Sequence, residues 1–211
     1  MIVSAIPSVF SASGTMSFKD IKSGDWFYDY VRYVWEHDIM KGISDNTFGP
    51  NDSMSRGQIV TILSRMSGED VKGMSSNMNF KDVGKDLYYA DPIGWAVKNG
   101  IAKGKSDTTF EPDSPLRRQE FAAFFVRYMK YKGITIKSES GVKPFPDKIA
   151  DWAKEDVETL HKTGLVMGDA QGKFNAENKM TRAEIATVTM MFEEAVAQTV
   201  GRSLEEIVTE Y

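Results

Sequence analysis

Arg56, Arg118 and Arg182 have the strongest claim to chemistry in this sequence of 211 residues. Each is the second residue of a four-residue signature: Ser55-Arg56-Gly57-Gln58, Arg117-Arg118-Gln119-Glu120 and Thr181-Arg182-Ala183-Glu184. In the first and third, a hydroxyl followed three residues later by Gln58 or Glu184 is a capping box, the mark of a helix start. Arg117 has no hydroxyl, so the second copy departs from that pattern. An arginine in a first turn faces the positive end of the helix dipole, a loss of a few tenths up to about 1 kcal/mol. Three such placements at one register ask for a negative partner, since local rules are broken where function requires it. Two partners meet the demand and do not exclude each other. One is an internal carboxylate, with Asp20, Asp82 and Asp147 recurring at the same pitch. The other is an external anion, held by the guanidinium fork and free amides of the helix N-terminus.

Other chemistries find little support. There is no cysteine, hence no disulfide, thiolate metal site or thiol nucleophile. His37 and His161 occupy different places in the repeat and read as helix-surface residues rather than ligands. Gly42 to Pro50 is rich in turn residues, but Phe48, Phe110 and Phe174 stand where the oxygen ligands of a calcium loop would converge, so no metal is expected. A glycosidase needs two acids flanking a cleft, and the acids that recur here are already placed as a cap or an ion-pair partner; no catalytic residue is assigned. A net charge of −4 argues against nucleic acid, which calls for a basic face. No run nears the 18 or so apolar residues of a membrane span.

The elements that position the arginines form three tandem units, 18–68, 80–133 and 145–198. Each opens on Phe18-Lys19-Asp20, Phe80-Lys81-Asp82 or Phe145-Pro146-Asp147. An aromatic follows (Trp26, Tyr88 or Trp152), then a short first helix with an apolar face, for example Val31 and Val34, Ile93 and Ala96, Val157 and Leu160. It ends near Asp38, Gly100 or Gly164, where Ile39, Ile101 or Leu165 folds back as the apolar contact of a C-cap. A connector holding Gly42/Phe48, Gly104/Phe110 or Gly168/Phe174 leads into the second helix. There the apolar positions superpose: Ile59, Ile62, Leu63, Met66; Phe121, Phe124, Phe125, Tyr128; Ile185, Val188, Thr189, Phe192. Units this small cannot bury a core alone, so three equivalent stripes predict three helices around a common axis with the first helices outside them. Residues 1–17 form a leader, either a signal remnant or a draped segment, and 199–211 a C-terminal helical tail with Leu204, Ile207, Val208 and Tyr211 at helical spacing.

Phe-x-Asp, an aromatic, Gly-x5-Phe-x-Pro and then Thr-Arg-Ala-Glu resemble the S-layer homology repeat, present three times over about residues 18 to 198. Thr181-Arg182-Ala183-Glu184 matches the family motif letter for letter; the other two are variants. The resemblance implies an all-α fold, a pseudo-threefold prism with a central three-helix bundle and grooves between repeats. It implies a non-covalent anchor, secreted to a bacterial cell surface, that binds cell-wall polysaccharide and is fused to cargo in a longer protein. The ligand that the resemblance implies is a secondary polymer bearing pyruvylated N-acetylmannosamine, or else peptidoglycan. Arg56, Arg118 and Arg182 would take the ketal carboxylate, Gly42, Gly104 and Gly168 would let backbone approach the sugar, and Trp26, Tyr88 and Trp152 would offer a flat face to the ring. For these glycines a turn of positive φ is an equally sufficient explanation, and for the aromatics a place in the core. An array whose arginines only staple repeats together, without a glycan site, is the remaining alternative.

Overall fold

In the computed structural model, which describes residues 16–201 and Leu204, the chain is all helix and loop; no strand occurs among the described residues. The helices are α1 (Tyr28–Glu36), α2 (Arg56–Ser67), α3 (Ala90–Lys98), α4 (Arg118–Lys132), α5 (Asp151–Lys162) and α6 (Arg182–Val200). The first helices stop where predicted. Asp38, Gly100 and Gly164 all take positive φ, and the residues after them, Ile39, Ile101 and Leu165, are buried. The leader and most of the tail lie outside the described residues; Leu204 packs against the core.

The stripes of α2, α4 and α6 are buried along their whole length and meet in one core. Phe125 of α4 and Phe192 of α6 are in edge contact at 5.0 Å between ring centres. Each outer helix packs not on its own repeat's central helix but on the preceding one: α3 on α2, α5 on α4, and α1 on α6. The last contact closes the chain into a ring, so the first repeat is completed by the third.

A second ring lies at the entrance to the central helices. The Met54 amide donates to the Met180 carbonyl (2.8 Å), Met180 to Leu116 (2.9 Å), and Leu116 back to Met54 (2.8 Å). All three side chains are buried, so these strong backbone groups find partners only in each other. This three-membered cycle fixes the starts of α2, α4 and α6 side by side.

Candidate functional site

Each central-helix arginine reaches across to the connector of the next repeat. Arg56 Nε donates to the Phe110 carbonyl (3.0 Å) and Nη2 to that of Lys103 (2.9 Å). Arg118 does the same to Phe174 (2.9 Å) and Met167 (3.2 Å), and Arg182 to Phe48 (2.7 Å) and Lys41 (2.6 Å). The guanidinium also lies over the ring of the same phenylalanine, at 4.7, 4.9 and 4.5 Å, a cation–π contact. Burial lowers the pKa of all three.

The aspartates do not pair with these arginines. Asp20 accepts from the Phe48 and Gly49 amides, Asp82 from Phe110 and Glu111, and Asp147 from Phe174 and Asn175. Gly49, Glu111 and Asn175 are the equivalent positions at which the connector adopts positive φ. The carboxylate therefore holds the amide side of each phenylalanine while the arginine holds its carbonyl side. Position in the repeat could not tell these roles apart, because both residues recur at one pitch.

Nor are the helix amides free. The first two amides of α2 donate to the Ser114 and Pro112 carbonyls, those of α4 to Asn178 and Ala176, and those of α6 to Asp52 and Pro50. The third donates to the cap at Ser55 and Thr181, with Gln58 and Glu184 reaching back to complete both boxes. At Arg117 only the reverse half forms, Glu120 accepting from the Arg117 amide. An incoming anion must therefore be met by side chains.

The three glycines serve close approach and not positive φ, which none of them adopts. A Cβ on Gly42 or Gly104 would strike Phe18 or Phe80 and two carbonyls of its own connector; on Gly168 it would meet the backbone of Gly172. The flat aromatics, by contrast, face water: Trp26 is 65%, Tyr88 60% and Trp152 54% exposed, while the adjacent Phe27, Tyr89 and Ala153 are buried. In one groove of 200 Å³, Arg182 of the third repeat, Gly42 and Gln58 of the first and Tyr88 of the second come together. A second, of 360 Å³, holds Arg118, Gly168 and Glu184. At the corresponding place near Arg56 the opening, of 340 Å³, is lined by Lys105 and Glu120: the Arg56 Nη1 donates to Glu120 (3.1 Å), which also takes Lys105 Nζ. Burial would raise the Glu120 pKa, but Lys105, the Arg117 amide and Arg56 together bring it below the usual carboxylate value.

His161 stacks on Phe145 at 3.9 Å and His37 packs on Tyr33 at 4.2 Å, so both histidines have packing roles. No group of acids and histidines able to hold a metal occurs among the described residues, and no described helix is long and apolar enough to cross a membrane.

The family model described as the S-layer homology domain matches residues 17–60, 79–122 and 144–186. The surface-layer 125 kDa protein of Lysinibacillus sphaericus is 27% identical over 95% of this chain and 17% of its own length. S-layer protein EA1 of Bacillus anthracis is 28% identical over 88% of the chain and 21% of its own length. An endoglucanase of Bacillus sp. (strain KSM-635) is 29% identical over 84% and 19%. The chain thus spans about a fifth of the length of these relatives.

Proposed function

The chain belongs to the S-layer homology family, and from that membership we propose that it is a non-covalent anchor for the bacterial cell surface. It binds an anionic secondary polysaccharide of the wall, of the pyruvylated N-acetylmannosamine type, in the grooves between repeats. It carries out no reaction of its own and is joined to cargo in a longer protein. The observation that carries this reading is the outward-facing aromatic at one register of all three repeats, beside buried neighbours. Burying a large ring is worth about 1.5–3 kcal/mol, so leaving three in water makes sense where a flat, apolar sugar face will cover them.

Two relatives are named as surface-layer proteins and a third as an endoglucanase, each matched over a fifth or so of its length. One module attached to such different proteins is what an anchor would look like. The arginines support the site in two ways: they hold the connector in place, and Arg118 and Arg182 also line the grooves.

The test is co-sedimentation with purified bacterial cell walls. The chain should pellet with them, and the variant Trp26→Ala/Tyr88→Ala/Trp152→Ala should lose most of that binding while keeping its helical circular dichroism, because those rings stand outside the core. Undiminished pelleting of the variant would remove the reading.

A further inference from the structure

The three grooves share one plan, and a single residue in each sets the charge that faces the arginine. That residue is the third of the central helix, Gln58, Glu120 or Glu184. Where it is Glu120, the Arg56 Nη1 is taken by its carboxylate, with Lys105 on the same oxygen. Where it is Glu184, Arg118 Nη1 stands 3.6 Å from the carboxylate and 3.6 Å from Met180 Sδ. Where it is Gln58, no carboxylate lies within salt-bridge distance of Arg182, and Arg182 Nη1 makes no hydrogen bond among the described residues. The neighbours follow suit: the residue after the connector glycine is Ile43 beside Arg182, Lys105 beside Arg56 and Asp169 beside Arg118.

The charge lining each groove differs accordingly. That of Arg182 also contains Lys41 and Arg65 and is lined by no acidic residue, in a chain whose net charge is −4. The groove of Arg118 sets Lys173 and Lys179 against Asp169 and Glu184. A carboxylate entering the first meets an unclaimed guanidinium edge, the arrangement that gives strong, directional charge-assisted bonds. Entering either of the others, it must displace an acid already there.

We infer that the three grooves are not equivalent: the one built by Arg182, Gln58, Lys41, Arg65 and Tyr88 is the carboxylate-binding site, and in its counterpart at Arg56 the guanidinium edge is claimed by Glu120, with Lys105. This deepens the wall-anchor reading and rests on it. Its probe is the methyl glycoside of 4,6-O-pyruvyl-ketal N-acetylmannosamine, titrated calorimetrically into the full chain. One equivalent should bind. Gln58→Glu, which preserves the capping box but gives Arg182 a carboxylate, should weaken binding by about tenfold or more, the effect of a like charge set against the ligand. Lys41→Glu, at an exposed side chain where folding is not in question, should weaken it in the same direction. Two or three equal sites in the unaltered chain, or unchanged affinity in Gln58→Glu, would overturn the inference. Pelleting with walls but no binding of the monosaccharide would overturn it and leave the anchor standing; failure of both would remove the anchor as well.

Discussion

At the scale of single residues, the repeated arginine is a structural clamp before it is anything else. Its Nε and Nη2 satisfy connector carbonyls, so removing it leaves buried acceptors without partners, at about 1–3 kcal/mol each. Loss of binding in an arginine-to-alanine variant would therefore report a loosened connector as much as a missing ligand contact. Gln58→Glu avoids that confusion. The Gln58 difference is written in the sequence, yet as a capping residue glutamine reads the same as glutamate; only the proximity of Arg182, 124 positions away in the chain, gives the missing charge a meaning. A second residue carries a separate prediction. Thr189 completes the apolar stripe of α6, is fully buried, and its hydroxyl oxygen has no hydrogen-bond partner among the described residues. Valine has nearly the same shape without the hydroxyl, so Thr189→Val should stabilise the fold by about 1 kcal/mol, read as a higher denaturant midpoint.

At the scale of elements, the closing contact between α1 and α6 contains a titratable device. Tyr33 of α1 donates its hydroxyl to Glu193 of α6. Burial pushes the Glu193 carboxyl up to about 6, although the Tyr33 hydroxyl pulls it the other way. A carboxyl raised in the folded state contributes stability that is fully present below its unfolded value of about 4.5 and is lost as pH rises through about 6, a swing of about 2 kcal/mol. The melting temperature should therefore rise as pH falls from 7.5 to 5.5, and Glu193→Gln should flatten that dependence. The helices themselves were legible in the sequence because capping and periodicity are local: the stripes on α2, α4 and α6 and the stops at Asp38, Gly100 and Gly164 are where the pattern put them. What periodicity could not supply is the exchange of partners. Apolar faces announce that they will be covered, not by which helix, so the packing of α1 on α6 and the hydrogen-bond cycle of Met54, Leu116 and Met180 emerge only from the fold.

At the scale of the whole molecule, ring closure makes the Arg182 groove the joint property of three repeats, the third supplying the arginine, the first the connector and the second the aromatic, while the Arg118 groove is lined by the second and third. Three repeats of one plan can in this way yield different grooves, because residues that vary between the repeats line them. The motif made the arginines, glycines and aromatics findable as a set; the inequality among grooves came from residues such as Gln58, Ile43 and Lys105, whose weight depends on what stands opposite. The anchoring claim is tested most directly by pelleting the unaltered chain with purified walls before and after hydrofluoric acid has stripped the secondary polymer from the peptidoglycan. Binding to the intact walls and its loss from the stripped ones is the expected result; equal binding to bare peptidoglycan would contradict the account.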